Sequence, residues 1–456
     1  ALKAIKDLGF TYEEGEQEVK GFGGQKSQVD IRIRMAGEDP VDKGKPVGRP
    51  VRALGDSLFI DFDKKIAILK NNVKVYDHRF VLTCDRLELD MNEIPADDAS
   101  KDKEKEKKEQ KGTQISLDSL DGSLGVSKVS CFGNVKIERV LSEDEKKKNG
   151  EQKAASEQAV YDVNKGEIVL SGNHPVMQRG EDRLSAEQIT LWRESEKLRG
   201  EGNCQVVMRR KSDSGEPMAP TIVNSEFLDM DMARNLGLFV GNVRVTDQAM
   251  QLNCHRMELK FADKAKIPSN AAAKHDLNLD GDISGNKELA AIKCIGDVAV
   301  VRDGELDAYG KRAPASYSNS GQLDFDVKNN ILVLTKDNPT LKRGEDSVSG
   351  EKITVWADQQ KMLVNNNSKI QSVPKSENGG KATRSYIKSD SSDLDYGKGL
   401  LTFSGAVEVR DEKLNLDCGK MIVYLVEGPK NKAAAASGKK ANLLAGDNTL
   451  NALGAE

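Results

Sequence analysis

The sequence is poor in several features that would mark a common functional class. Its 456 residues carry a net charge of −4, so the basic excess that a nucleic-acid-binding face needs is missing. Aromatic residues make up 5%, which leaves few stacking platforms for a β-helical carbohydrate-active enzyme. The four histidines do not recur at equivalent positions, so no catalytic group is indicated. We therefore expect no enzyme, no catalytic residue, no cofactor, no metal site and no nucleic-acid partner.

Long hydrophobic runs are also missing. No apolar stretch approaches the roughly 18 residues that a membrane-spanning helix needs. The start of the chain at Ala1 has neither the charged region nor the apolar region of a signal peptide. We therefore expect a secreted protein from which the signal peptide has already been removed.

The sequence does contain one repeated motif, called the phrase below, in five copies. Residues 179–192 read RGEDRLSAEQITLW and residues 343–356 read RGEDSVSGEKITVW, each ending in one of the two tryptophans. Extended and aligned, the phrase gives five units, at 57–91, 156–192, 225–261, 320–356 and 391–425. Units one, three and five resemble each other most, as do two and four. The repeat is therefore a pair of units, written two and a half times.

Inside each unit, apolar residues alternate with polar ones. In unit three, for example, Leu228, Met230 and Met232 alternate with aspartates. A period of two indicates antiparallel strands with one buried and one solvent-facing side, and the turn signals NN, GN and GED separate these strands. The periodicity therefore predicts an all-β fold.

The units and the composition between them place the domain boundaries. We expect an N-terminal segment at 1–54, double repeats at 55–216 and 217–381, a partial third repeat at 382–432, and a low-complexity tail at 433–456. Stacked repeats contact mainly their neighbours, so we expect all the repeats to form one continuous β body.

Several segments carry a family resemblance. The best are FVGNVRVTD at 239–247, LSGNHPVMQ at 170–178 and LSAEQITLW at 184–192. Two linking segments, VSCFGNVKI at 129–137 and IKCIGDVAV at 292–300, fit the same pattern. With five copies in register, the chain resembles the LptA/OstA family of periplasmic lipopolysaccharide-transport proteins.

The resemblance implies an elongated, open β jelly roll with a hydrophobic groove, here built from five tandem OstA-like strand units. It implies a periplasmic bridge that carries lipopolysaccharide, or a similar amphipathic lipid, along the groove toward the outer membrane. The implied partners are that lipid, inner- and outer-membrane transport components, and further copies of the chain associating end to end. The alternative from another class is a solid-cored β-repeat scaffold of the cell envelope that transports no lipid.

Residues on one phase of the alternating strands are expected to line the implied groove. In such a groove, acyl chains lie against apolar side chains while the head group stays in water. The expected lining residues are Ile60, Phe62, Ile66, Ile68, Val73, Val75, Leu82, Leu184, Ile189, Leu191, Leu228, Met230, Leu238, Val243, Val245, Leu252, Leu323, Phe325, Ile353 and Val355.

Four of the six cysteines occupy repeated positions. Cys84 and Cys131 lie in the first double unit at the same two places as Cys254 and Cys294 in the second. Two interpretations stay open: free thiols in tight packing, or one disulfide per double unit in an oxidising compartment.

Three further features have a structural and a functional interpretation. RGED is typical of a hairpin tip in which Gly180 and Gly344 supply the turn, with a docking role for its charges as the alternative. The stretch DLNLDGDIS at 276–284 matches the first half of a calcium-binding loop, but Lys287 stands where the closing acid belongs, and a plain polar loop is the alternative. Both tryptophans lie one position beyond the apolar phase, which predicts that they face outward or pack on a neighbouring unit, with lipid contact as the alternative.

Overall fold

The structure is a computed structural model in which the chain divides into two compact units, residues 1–204 and residues 205–456. The predicted tail at 433–456 and the loop at 276–284 lie outside the described residues. The structure describes residues 10–13, 16–21, 29–35, 49–61, 63–77, 80–93, 124–144, 146, 150–192, 195–209, 218–248, 250–263, 287–304, 312–373, 384–412 and 414–425.

The first unit is built from antiparallel strands. They are β1 (Phe10–Glu13), β2 (Glu16–Gly21), β3 (Val29–Met35), β4 (Arg49–Gly55), β5 (Ser57–Asp61), β6 (Ile66–Tyr76), β7 (Phe80–Glu93), β8 (Leu124–Arg139), β9 (Gln152–Asp162), β10 (Glu167–Ser171), β11 (Val176–Arg179), β12 (Asp182–Ser185), β13 (Gln188–Trp192) and β14 (Lys197–Met208), in which the division between the units falls.

The second unit continues with strands of the same kind. They are β15 (Thr221–Asp231), β16 (Leu236–Asp247), β17 (Met250–Asp263), β18 (Lys287–Arg302), β19 (Ser316–Asp326), β20 (Ile331–Thr335), β21 (Thr340–Arg343), β22 (Asp346–Ser349), β23 (Lys352–Trp356), β24 (Lys361–Ser372), β25 (Ser385–Asp395), β26 (Leu400–Arg410) and β27 (Asn415–Tyr424).

Most strands that follow each other in sequence pair antiparallel within each unit. In the first unit β7 pairs with β6 and β8, and β8 pairs with β9; in the second, β17 pairs with β16 and β18. The two best-matched copies of the phrase share one pattern, in which β9 pairs with both β10 and β11, and β19 pairs with both β20 and β21. The predicted all-β, jelly-roll-like fold is confirmed.

Many of the strands change direction at a two-residue bend with left-handed backbone. In β16 the bend is Gly241 and Asn242, with φ of 82° and 45°, and the register with β17 shifts there. Glycine adopts this conformation freely, and asparagine tolerates it better than most residues. Asn242 also donates from Nδ2 to Glu226 Oε1 at 2.7 Å on the neighbouring strand. The same amide-to-carboxylate bond recurs at Asn72–Asp56, Asn134–Asp85, Asn173–Glu157, Asn203–Glu187 and Asn367–Glu351.

One face of most strands is buried and forms the core. In β16, Phe239, Val243 and Val245 are buried, whereas Arg244 is exposed, because successive residues point to opposite faces. The largest side chains that are fully buried are Phe403, Leu69, Leu87, Leu89, Leu170, Ile189, Leu228, Leu252, Met257, Ile292, Leu334 and Ile353.

Candidate functional site

A row of half-exposed apolar side chains crosses five strands of the first unit. The row consists of Val129 on β8, Tyr161 on β9, Ile168 on β10, Leu191 on β13 and Leu198 on β14, and we call it the open row. The register places each of these residues directly opposite the next. Since neighbouring strands lie about 4.8 Å apart, the row is about 19 Å long.

The open row lies on the interior face of the sheet. Two positions nearer the bends, the same five strands carry Cys131, Ala159, Leu170, Ile189 and Gly200, and all five are buried. Residues two apart in a strand share a face, so the open row faces the same side as this buried row. The interior face is therefore partly open to solvent along this row. A groove exposes interior apolar residues in this way, whereas a filled core buries them.

The second unit carries the corresponding row in a buried state, and we call it the closed row. Its members are only 0–6% exposed, and each lies opposite the next in the register. They are Ile292, Phe325, Leu332, Val355, Met362, Leu394 and Leu401. Equivalent positions of one repeat therefore differ in exposure between the two units.

Most of the residues expected to line a groove lie on the interior face. Leu191 belongs to the open row, and Phe62 lies outside the described residues. Fifteen others are buried: Ile60, Val73, Val75, Leu82, Leu184, Ile189, Leu228, Met230, Val243, Val245, Leu252, Leu323, Phe325, Ile353 and Val355.

Three of the expected lining residues lie on the opposite face, which corrects the sequence-based assignment. In β6, Ala67 and Leu69 are buried, whereas Ile66 and Ile68 are half-exposed. Counting back by twos from the buried Val73 leads to Leu69 and Ala67, so the interior phase of β6 runs through these two residues and not through the isoleucines. In β16, likewise, Leu238 is half-exposed; its neighbours Gly237 and Phe239 are buried.

Four members of the open row were not predicted from the sequence. Val129, Ile168 and Leu198 lie in strands that are apolar on both phases or that link the repeated units, whereas Tyr161 lies within unit two, two residues after Ala159. Their facing could have been obtained by counting from Cys131 and its neighbours, but their exposure has no local sequence signal.

The RGED motifs form hairpin tips, but their aspartates are anchors and not free surface charges. Gly180 and Gly344 have φ of 58° and 60° between the paired strands β11 and β12 and between β21 and β22. Asp182 is buried, and Asp346 accepts a hydrogen bond from the backbone N–H of Val373 at 2.8 Å. Asp346 therefore ties the start of β22 to the chain just after β24.

Both tryptophans lie on the face opposite the interior, and each has a cationic side chain over its ring. Trp192 donates from Nε1 to Glu167 at 2.7 Å, and the Arg199 guanidinium lies 5.3 Å from its ring centre. Lys361 lies 5.9 Å from the ring centre of Trp356. A cation over an aromatic ring is attracted by its negative face, so both rings are held by neighbouring strands.

The predicted disulfide cysteines are in contact as thiols. Cys84 and Cys131 are buried and hydrogen-bonded to each other, and so are Cys254 and Cys294. The hydrogen bond from Cys131 lowers the pKa of Cys84, and the same bond together with burial raises the pKa of Cys131 well above its usual range. The second pair behaves in the same way.

Neither a metal cluster nor a spanning helix is found in the described part of the chain. There, no three or more histidine, cysteine, aspartate or glutamate side chains come close enough together to hold a metal ion. Within the same residues, no helix is long and apolar enough to cross a membrane.

Comparisons with known proteins give a family match over part of the chain. Residues 222–361 match the family described as "LptA/(LptD N-terminal domain) LPS transport protein". A solved structure of LptH from Pseudomonas aeruginosa, described as the LptA homologous periplasmic component of the lipopolysaccharide transport device, is 17% identical; it covers 34% of this chain and 82% of its own, with a TM-score of 0.23. Comparison with curated proteins gives no match. The predicted resemblance to the LptA/OstA family is confirmed, on the basis of residues 222–361.

Proposed function

From that family resemblance, we propose that this chain is a non-enzymatic periplasmic carrier of lipopolysaccharide or a similar amphipathic lipid. It holds the acyl chains against the open row and passes the lipid toward the outer membrane, with inner- and outer-membrane transport components as its partners. The observation that carries the proposal is the open row itself, five apolar residues of the interior face that are half-exposed side by side.

Apolar contact supplies the driving force for holding the lipid. Each CH₂ group removed from water contributes about 0.8 kcal/mol, so an acyl chain lying along a row about 19 Å long is held by several kcal/mol. The sugar and phosphate groups of the lipid stay in water outside the row, because burying unpaired polar groups is costly. Binding of this kind needs no chemical step.

The closed row favours the scaffold alternative for the second unit. Seven interior side chains from Ile292 to Leu401 are almost completely buried, so this row offers no exposed surface to an acyl chain. The second unit is therefore either a filled scaffold or a stretch that opens only when lipid passes. The two units give a matched comparison within one molecule.

A photo-crosslinking experiment tests the proposal on that comparison. A photoreactive residue is placed at Leu191 in the open row, at its repeat equivalent Val355 in the closed row, or at Val169 on the opposite face of β10. We expect purified lipopolysaccharide to form adducts at Leu191 and not at Val169. No adduct at Leu191, or equal adducts at Leu191 and Val169, would refute the carrier. Adducts at Val355 would show that the second unit opens, and their absence would support the scaffold for that unit.

We also propose that β27 is the docking strand for a second copy of this chain. β27 is the last described strand; it pairs with β26, and most of its side chains are exposed along its whole length. Ile422 and Tyr424 are 45% and 73% exposed, although both are large and apolar. A strand with exposed apolar side chains along its length is suited to strand addition.

Association between copies is expected to depend on β27. Ile422→Lys adds a charge to this strand and is expected to shift the sedimentation profile at micromolar concentration toward the monomer. Tyr317→Lys is the matched control, because Tyr317 is 47% exposed on β19. Equal dissociation by both variants, or a monomer before any substitution, would contradict the proposal.

A further inference from the structure

Two buried thiol pairs lie outside the open row. Cys84 on β7 and Cys131 on β8 are hydrogen-bonded to each other, and Cys254 on β17 and Cys294 on β18 repeat the arrangement. In each pair the first cysteine lies at a register shift, and the second lies opposite the residue three positions after the first. The same local geometry therefore brings two sulfur atoms into contact in both units.

The hydrogen bond from the first cysteine to a backbone carbonyl oxygen does not require a thiol. Cys84 donates from Sγ to the carbonyl oxygen of Arg86 at 3.3 Å. At the equivalent bend of β15, Ser225 donates from Oγ to the carbonyl oxygen of Phe227 at 3.0 Å. A hydroxyl group therefore supports the bend as well as a thiol does, and what cysteine adds is reactivity toward a second sulfur.

At the bends for which both strands are described, cysteine occurs at both positions or at neither. Cys418 on β27 also holds a first position, opposite Val407 as Cys84 is opposite Val73, but no strand after β27 is described. Where the first position is serine, the second holds a large apolar residue; in the two cysteine bends with both strands described, the second is cysteine. The register gives four serine bends of this kind, Ser156 with Leu170, Ser225 with Phe239, Ser320 with Leu334, and Ser389 with Phe403. If the cysteines were there for packing alone, a cysteine at one position would not require a cysteine at the other. Their joint occurrence therefore favours a role for the pair.

We propose that Cys84–Cys131 and Cys254–Cys294 are two dithiol–disulfide sites, oxidised by exchange with the disulfide of a thiol–disulfide oxidoreductase. The inference takes only the secreted location from the proposed function and does not depend on lipid binding. Each bond would join neighbouring strands covalently and close a loop of the chain, 84–131 or 254–294.

The exchange balances without any further reactant. The Cys84 thiolate attacks one sulfur of the oxidant disulfide, which forms a mixed disulfide and releases one oxidant thiolate. The Cys131 thiolate then attacks the Cys84 sulfur, which forms the internal disulfide and releases the second oxidant thiolate. The two protons of the cysteine thiols end on the two released thiolates, so two thiols are oxidised and one disulfide is reduced. Because Cys84 has the lowered pKa, it is the attacking sulfur. All four sulfurs are buried, so the exchange takes place while the bend is open, during folding or local opening.

The experiment uses the full chain and oxidised glutathione as the disulfide probe. The protein is oxidised once in its native state and once during refolding from denaturant; remaining thiols are alkylated and the peptides are mapped by mass spectrometry. We expect the links 84–131 and 254–294 after refolding, with Cys204 and Cys418 alkylated. The oxidised protein is expected to melt at least about 5 °C higher than the reduced protein, because both closed loops restrict the unfolded chain.

Serine variants provide the controls. Cys84→Ser keeps a donor for the Arg86 carbonyl and is expected to lose only the 84–131 link, whereas Cys204→Ser is expected to keep both links. Absence of the links under both conditions, scrambled pairing, or stable glutathione adducts in place of internal links would overturn the proposal. Lipopolysaccharide capture is measured on the same samples: correct links without capture would refute the carrier alone, and capture without links would refute the disulfide sites alone.

Discussion

Ile168→Asp is expected to weaken lipopolysaccharide capture by at least about tenfold, a loss of about 1.4 kcal/mol. Ile168 is the central member of the open row, and its side chain lies on the interior face of β10. An acyl chain lying across the row would force the new carboxylate out of water without a partner, and this desolvation is costly. Because Ile168 is half-exposed in the structure, the carboxylate stays hydrated when no lipid is bound, so the fold itself is expected to survive.

Val169→Asp is the matched control for this prediction. Val169 is the next residue of the same strand, is also half-exposed, and points to the opposite face. Capture is measured by fluorescence displacement of a lipid probe, and folding of both variants is checked by circular dichroism. Equal loss of capture in both variants would show that the lipid does not bind the interior face of β10.

Gly241→Ala is expected to lower the free energy of unfolding by about 2–3 kcal/mol and the melting temperature by about 4–12 °C. Gly241 has φ of 82°, a conformation that L side chains rarely adopt. A Cβ atom there would lie 2.4 Å from Glu226 Oε2 and 2.7 Å from Glu226 Cβ. The alanine therefore strains the backbone and also displaces the carboxylate that accepts the hydrogen bond from Asn242.

Gly419→Ala provides the control for the bend substitution. A Cβ atom at Gly419 meets nothing within 4 Å, so we expect almost no change in melting temperature. The double variant Gly241→Ala, Glu226→Ala separates the two causes. It is expected to lose less stability than the two single changes predict together, because the clash is removed along with the carboxylate. A melting temperature of Gly241→Ala equal to that of the unsubstituted protein would contradict the role given to the bend.

Local sequence signals predicted the strands and the bends well. The two copies of the phrase at 156–192 and 320–356 fold into matching sets of strands, β9 to β13 and β19 to β23. The Gly-Asn turns became left-handed bends, because glycine and asparagine prefer the same conformation wherever they occur. Such features depend on residues within a few positions of each other, which is why one sequence was sufficient.

Facing and function of individual residues were harder to predict. Ile66 and Ile68 were assigned to the interior phase of β6, but Ala67 and Leu69 are the buried residues. RGED was expected to form a hairpin tip, with docking by its charges as the alternative; the structure adds that Asp346 accepts a backbone hydrogen bond from Val373, 27 positions later in the chain. The contact with Val373 joins residues far apart in the sequence, so the local pattern does not contain it.

The sequence by itself determined that this protein is an all-β repeat of antiparallel strands, with one apolar phase and paired cysteines at repeated positions. Only the tertiary structure decided that the interior row is half-exposed at Ile168 and Leu191 and buried at the equivalent Leu332 and Val355. The two rows have the same apolar character and the same spacing in sequence. Their difference arises because the exposure of a side chain depends on what packs across from it, and those packing partners are distant in the sequence.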